Sequence, residues 1–243
     1  MKTLLKTSLV STLAVFALAA SLPAKVVGSG NVVTETRNVS GFHSVDLLGS
    51  GQVIVTQGDT EGLVIEAEDN LLPVIETKVV DGTLRIGFKD HEEIHITKPL
   101  TFRVAVKTLD SVVLSGSGGI GAKTLKADRF AVKLRGSGNV NLDHLDVGAL
   151  SVDVDGSGNV KLGGKATQQT VSVNGSGDYE AGALKTGAAT VNVAGSGDCE
   201  VAVSETLTVN VSGSGDVSYY GSPTVTKHVS GSGSVEALGT AKN

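Results

Sequence analysis

The sequence has 243 residues, of which 40% are hydrophobic, so it is long enough to bury a full core and too apolar for a disordered chain. Aromatic residues make up only 3%, Trp is absent and there are 32 glycines, so we expect a core of Val, Leu, Ile and Ala. A net charge of −5 disfavours nucleic acid as a partner.

Residues 1–24 have the pattern of a secretory signal peptide. Two lysines are followed by an apolar run from Leu9 to Ala20 and then by small residues, which place cleavage near residues 19–24. The run is too short to cross a bilayer comfortably, so we expect no transmembrane segment in the mature chain. We therefore expect an exported protein that is periplasmic, located at the cell surface or secreted.

Residues 25–110 are predicted to form a less regular β region. Asp81-Gly82 is a strong signal for a two-residue hairpin turn. The pattern leaves open whether this region continues the coils that follow or forms a separate β layer. The strand-like stretches are residues 63–65, 74–80, 84–86 and 102–106.

Residues 91–95, His-Glu-Glu-Ile-His, match the H-E-x-x-H spacing of zinc proteases. That site needs a helix, on which residues four apart lie about 6 Å apart, whereas on a strand they lie about 13 Å apart. Ile94 and Ile96 alternate as in a strand, and Pro99 ends the segment. We interpret the segment as an exposed strand end and expect no metal-dependent active site there.

Residues 116–121 spell G-x-G-x-x-G, the fingerprint of dinucleotide-binding turns. In such a site the last glycine opens a helix, and the helix N-terminus faces the pyrophosphate. Gly121 leads instead to another alternating stretch, Phe130–Leu134. We therefore expect no nucleotide cofactor, and no cofactor of another kind is indicated.

Gly-Ser-Gly itself recurs nine times, and the last seven copies are spaced 18 to 20 residues apart. Each of these follows an alternation of apolar residues, and most precede Asn or Asp, which is typical of strands joined by tight turns. A fixed period of this length predicts a β-solenoid over residues 111–238. An antiparallel meander of hairpins is the competing layout. The glycines predicted to form structural turns are Gly116, Gly118, Gly136, Gly138, Gly156, Gly158, Gly175, Gly177, Gly195, Gly197, Gly213 and Gly215.

Each coil is predicted to contain two strands of about five residues, with equivalent residues of successive coils stacked about 4.8 Å apart. Cys199 falls in one of the resulting apolar columns and is expected to be buried. Lys227 replaces an apolar residue in the last coil, as is typical of a terminal repeat. Two further predicted columns are Val112, Val132, Val152, Val171, Val191 and Val209, and Leu114, Leu134, Val154, Val173, Val193 and Val211.

The outward rows of the coils carry mixed polar residues. Lys133 with Asp153, and Arg135 with Asp155, are predicted to be neighbours on adjacent coils and to form exposed ion pairs. Polysaccharide cleavage needs carboxylates and a basic residue that converge in a groove, and these rows do not indicate such a set. We therefore expect no catalytic residues.

Acidic residues after successive turns give one candidate cation site. On a strand, residues i and i+2 share a face, so stacked coils should gather several carboxylates on one patch. Calcium accepts oxygen ligands in flexible geometry. The alternative is that the aspartates accept hydrogen bonds from turn amides while Lys161 pairs with Glu180. The members of this acidic patch are Asp178, Glu180, Asp198, Glu200 and Asp216.

The stretch "EAEDNLLPVIETKVVDGTLRIGF" at 66–88, followed by "SVVLSGSGGI" and serial Gly-Ser-Gly turns, resembles the head GIN domain family of auto-transporter adhesins. The resemblance covers roughly residues 31–235. It implies a right-handed parallel β-helix similar to pectin lyases, whose Gly-Ser-Gly turns join its sheets. It also implies no established enzyme activity and a role in adhesion.

The expected function is therefore that of an exported, non-enzymatic adhesin that binds a surface glycan or a protein. A periplasmic binding or assembly module is the alternative, and a carbohydrate-active enzyme on a lyase-like β-helix is the third class. Fold alone does not favour the enzyme, because one fold supports many functions.

Overall fold

The computed structural model describes residues 25–89 and 93–240, and the predicted signal peptide lies outside them. These residues form eighteen strands and one short 3-10 helix, Leu72–Val74. No helix among them is long and apolar enough to span a membrane. The first nine strands are β1 Lys25–Val27, β2 Val32–Arg37, β3 Ser44–Gly49, β4 Gln52–Gln57, β5 Gly62–Glu68, β6 Ile75–Val80, β7 Thr83–Phe88, β8 Glu93–His95 and β9 Thr101–Val106. The others are β10 Ser111–Gly116, β11 Gly119–Gly136, β12 Asn139–Gly156, β13 Asn159–Gly175, β14 Tyr179–Gly195, β15 Cys199–Gly213, β16 Val217–Tyr220, β17 Thr224–Gly231 and β18 Val235–Gly239.

Strands β10 to β15 stack in parallel, one coil upon the next. The register places Gly156 of one corner opposite Gly136 of the preceding coil and Gly175 of the following one. The result is a β-solenoid of about six turns with coils of roughly twenty residues. The predicted all-β solenoid is confirmed.

Within a coil the strand is nearly continuous, and the prediction of two short strands per coil is wrong. In β12 the alternation of buried and exposed residues restarts after Asp143-His144 and again after Gly148-Ala149. Because successive side chains of a strand point to opposite faces, each restart marks a bend of the chain. A coil therefore has three buried runs, separated by these two bends and by the Gly-Ser-Gly corner.

The predicted aliphatic columns form the core. Every member of the Val112 and Leu114 columns is at most 2% exposed. Burying one Val or Leu side chain contributes about 1.5–3 kcal/mol, so the repeated columns supply most of the stabilisation. The core also extends beyond the repeats, because Val45 and Leu47 of β3 lie opposite Val112 and Leu114.

In the N-terminal part, β3 and β4 lie on either side of another Gly-Ser-Gly corner and pair in parallel with β10 and β11. The predicted hairpin at Asp81-Gly82 joins the antiparallel strands β6 and β7, with φ of 47° and 71° at the two turn residues. Strands β2, β5 and β9 also pair antiparallel. The predicted strands of this part are confirmed, and most lie in the same sheet as the coils.

At the C-terminal end, β17 pairs with β15 and places Lys227 opposite Val209. Lys227 is exposed, as are Val229 (43%) and Leu238 (44%). This end of the sheet therefore has an exposed edge. Lys227 places a charge in an inward position there, and such a charge discourages edge-to-edge association between sheets.

Glu68, the last residue of β5, forms hydrogen bonds with the loops that contain Gly30 and Thr97. Its side chain is buried, and its carboxylate accepts hydrogen bonds from the backbone N–H groups of Gly30, Thr97 and Lys98 and from the Thr97 hydroxyl. These bonds stabilise the charged form. They lower the pKa of Glu68 to about 2, with the Thr97 hydroxyl as the largest cause.

We call the hydrogen bonds of the Glu68 carboxylate the clasp. Because the pKa of Glu68 is lower in the folded chain than in the unfolded chain, the clasp should stabilise the fold fully above pH about 4.5 and progressively less as the pH falls toward about 2. We expect Glu68→Gln to lower the melting temperature at pH 7 and to flatten its dependence on pH between 5 and 2. Thermal melts followed by circular dichroism measure both effects. Glu236→Gln, which removes the same charge from an exposed position, is the control, and an equal response of the two variants would contradict the clasp.

Candidate binding surface

The predicted turn glycines lie at the stacked corners. The first glycine of a corner has positive φ, for example 150° at Gly156, which favours glycine. The second, Gly158, has no such requirement, but a Cβ there would overlap the carbonyl oxygen of Gly138. The corners therefore require glycine for two different reasons, and both are structural.

Four of the five members of the acidic patch make contacts within the protein. Asp178, Asp198 and Asp216 lie in one column, and Oδ1 of each accepts the backbone N–H of the equivalent residue on the next coil at 2.7–3.0 Å. Glu180 pairs with Lys161 at 3.0 Å, as the alternative interpretation predicted. Within residues 25–89 and 93–240, no group of three or more His, Cys, Asp or Glu side chains is arranged to hold a metal ion. These contacts favour the structural interpretation of the patch, and melts with calcium and with chelator would test it.

Cys199 is buried between coils, as predicted. Burial is the largest cause that raises the pKa of its thiol to about 12, and the nearby carboxylates of Asp198 and Asp178 contribute to the same shift. Since the thiolate is the reactive form, Cys199 is an inert core residue in the native chain.

The described residues of the two enzyme-like motifs lie on strands or at a corner, and not on helices. Gly121 lies inside the long strand β11, so the helix that a dinucleotide site requires does not follow it. His91 and Glu92 lie outside the described residues, while the rest of the H-E-x-x-H segment, Glu93–His95, is strand β8. The predicted ion pairs, by contrast, are wrong: Lys133 lies opposite Asp153 as expected, but no ion pair forms there, and Asp155 accepts a hydrogen bond from Asn174.

A shallow groove with a volume of about 1540 Å³ runs along the solenoid. It crosses four levels of the solenoid, which corresponds to about 14 Å along the axis. It follows the bends where the coils change direction. It is lined by residues 108–110, 126–131, 146–151, 167–168 and 170.

The floor of the groove is made of small residues. A Cβ on Gly148 would lie 2.6 Å from the carbonyl oxygen of Asp128, so the close stacking of coils excludes a side chain there. Ala149 follows Gly148 at the bend, and Ala131 and Ser151 lie side by side on the adjoining face. The groove was not predicted from the sequence, although the short side chains of Ala131, Ser151 and Thr170 at equivalent positions of successive coils were a signal for it.

Polar side chains, including positively and negatively charged ones, surround this floor. Asp128 and Arg129 are exposed at one bend, and Asp146 pairs with Lys165 at 3.3 Å. Gln168 adds an exposed amide on the third coil. Such a surface can exchange hydrogen bonds with an extended polar ligand, because it offers donors and acceptors along its length.

Comparisons with known proteins give a consistent result. The profile of the family described as "Putative auto-transporter adhesin, head GIN domain" matches residues 41–223. The solved structure of a "putative adhesin" from Bacteroides fragilis is similar over 88% of this chain and 100% of that one, with 26% identity and a TM-score of 0.83. A "Putative lipid binding protein" from Parabacteroides distasonis is similar over the same shares, with 25% identity and a TM-score of 0.75. None of the curated proteins matches the sequence.

Proposed function

Because the chain belongs to the head GIN domain family of putative auto-transporter adhesins, we propose that it is an exported, non-enzymatic adhesin that binds a surface glycan or protein in the groove. The signal-like residues 1–24 support export. The similar structure from Bacteroides fragilis, itself named as a putative adhesin, supports the class of function.

The observation that carries the proposal is the groove across stacked coils. Its backbone belongs to a hydrogen-bonded parallel sheet with a buried core, so its shape is fixed before a ligand binds. A preformed surface binds with a smaller loss of conformational entropy than a loop that must be ordered. A rigid, elongated surface suits an extended polymer.

The ionisable residues of the groove support binding rather than catalysis. Asp128 and Arg129 are exposed to solvent, and Asp146 is paired with Lys165. These environments suit hydrogen bonding to a ligand.

The test combines location with binding. Fractionation of the tagged protein, expressed in its native host, should place it outside the cytoplasm. The purified chain should bind at least one ligand on an array of glycans and extracellular proteins, and Arg129→Glu should weaken that binding at least about tenfold, since it reverses a charge in the groove. Lys123→Glu, an exposed charge reversal on the same strand outside the groove, should bind as wild type. A cytoplasmic location, or equal binding by the two variants, would overturn the proposal.

A periplasmic binding module is the second candidate. A cavity of about 450 Å³ near the C-terminal coils is lined largely by apolar groups, including Ala202, Val203 and Tyr220. The similar structure named as a putative lipid binding protein agrees with an apolar ligand. Retention in the periplasmic fraction would favour this candidate over the surface adhesin.

A further inference from the structure

One face of the last coils carries no formal charge, and we call it the neutral face. It consists of the outward residues that precede the Gly-Ser-Gly corner, together with the corner serine, on four successive coils. The parallel register aligns Thr170 with Thr190, Thr190 with Thr208, and Thr208 with Thr226. Its members, coil by coil, are Thr170, Ser172, Asn174 and Ser176; Thr190, Asn192, Ala194 and Ser196; Thr208, Asn210, Ser212 and Ser214; Thr226, His228, Ser230 and Ser232.

The absence of Asp, Glu, Lys and Arg from these positions is unusual. Charged residues make up about 25–35% of a typical protein surface, so about four would be expected here. The equivalent positions of the two coils directly before it do carry charges, namely Lys133, Arg135, Asp153 and Asp155. The charged positions therefore end where β12 meets β13.

The neutral face keeps most of its hydrogen-bonding capacity free for a ligand. Asn210 donates from Nδ2 to Oδ1 of Asn192 at 2.8 Å, and Asn174 donates to Asp155 at the border of the face. Within the part of the chain that the structure describes, its Thr and Ser hydroxyls make no side-chain hydrogen bond to the protein. Each hydroxyl can donate one hydrogen bond and accept two.

The spacing of these groups is regular and rigid. Neighbours along a strand that share a face are about 6.6 Å apart, and neighbours on adjacent coils are about 4.8 Å apart. Val171, Val191 and Val209 lie directly beneath the face and are completely buried. The array is therefore held by the core, and binding would order few groups.

We propose that the neutral face binds a neutral polysaccharide, which names the ligand class for the adhesive function proposed above and rests on that function. The hydroxyls of such a polymer match an array of hydroxyl and amide groups that both donate and accept. Nucleic acid requires cationic side chains for its phosphates, and this face has no Lys or Arg. Protein interfaces depend on aromatic and Arg anchors, which the face also lacks. The face adjoins the groove, because Thr170 also lines it.

The test is affinity electrophoresis of the purified full chain in gels that contain dextran, laminarin or yeast mannan, with polygalacturonate as the anionic control. We expect at least one neutral polymer to retard the protein and polygalacturonate not to do so. Thr190→Val combined with Thr208→Val replaces two hydroxyls by methyl groups of the same shape and should weaken retardation about tenfold. Thr124→Val, an exposed position on β11 outside both surfaces, should leave it unchanged, and circular dichroism checks the fold of each variant.

The other outcomes separate this proposal from the adhesive function. If retardation is lost in Arg129→Glu but persists in the double Thr variant, the groove holds the ligand and the neutral-face proposal is overturned. If only polygalacturonate, or none of the polymers, retards the wild-type chain while the chain still binds array ligands, the ligand class is wrong and the adhesive function stands. If the double Thr variant changes only the oligomeric state in sedimentation, the face contacts a second copy, which also overturns the proposal.

Discussion

Gly158→Val is expected to lower the free energy of unfolding by about 3 kcal/mol, and the melting temperature by about 6–12 °C. The Cβ of any residue at 158 would overlap the carbonyl oxygen of Gly138 and would lie 2.9 Å from Cδ2 of Leu134. The Gly138 oxygen belongs to the backbone of the preceding coil and cannot rotate away. The corner therefore has to move outward, which weakens the stacking of Leu134 and its neighbours. Urea unfolding followed by circular dichroism measures the loss.

Gly121→Val provides the matched control. Gly121 lies in the strand β11, has no positive φ, and a Cβ there would meet its nearest neighbours at 3.5 and 3.7 Å, which is ordinary contact. Because valine suits a strand, we expect a change of less than about 1 kcal/mol. Equal losses in the two variants would show that close stacking at the corner does not limit stability.

The repeat made the solenoid predictable, because every coil has the same alternation of apolar residues before the same Gly-Ser-Gly turn. The alternation around Val152 and Val154 assigns a strand and its buried face, and the fixed spacing to Val171 and Val173 assigns the register. The bends were harder to predict. Asp143-His144 and Gly148-Ala149 carry no residue pattern that recurs in every coil, so the three buried runs emerge only from the stacked structure.

The binding surfaces, too, were predictable only in part from the sequence. The groove depends on the angle between successive runs of a coil, which the sequence does not specify, although Gly148 marks a close approach between coils. The register of Lys133 with Asp153 was predictable, but their ion pair was not, since long exposed side chains gain little from holding one geometry. The neutral face was visible in the sequence as a Thr at the same position of four successive coils, followed by Ser, Asn or His two residues later.

Tyr179→Ala is expected to lower the free energy of unfolding by about 3–5 kcal/mol. Tyr179 is completely buried in a column between Val160 and Cys199, where burial raises the pKa of its hydroxyl well above the usual range. Its hydroxyl donates a 2.7 Å hydrogen bond to Oε1 of Gln169, and Nε2 of the same amide donates to the Thr186 hydroxyl at 3.0 Å. Truncation leaves a cavity and also removes the partner of the buried Gln169 amide. Urea unfolding measures the sum of both effects.

A double-mutant cycle separates the hydrogen bond from the packing. Tyr179→Phe keeps the ring but leaves Oε1 of Gln169 without its donor, so we expect a loss of about 1–3 kcal/mol. Gln169→Leu alone removes the acceptor of the Tyr179 hydroxyl and should cost a similar amount. In the double variant both polar partners are replaced by apolar groups of similar size, so stability should return to within about 1 kcal/mol of wild type. If the losses of the two single variants add up in the double variant, Tyr179 and Gln169 contribute to stability independently, through packing. The hydrogen bond between them would then not be the source of the losses.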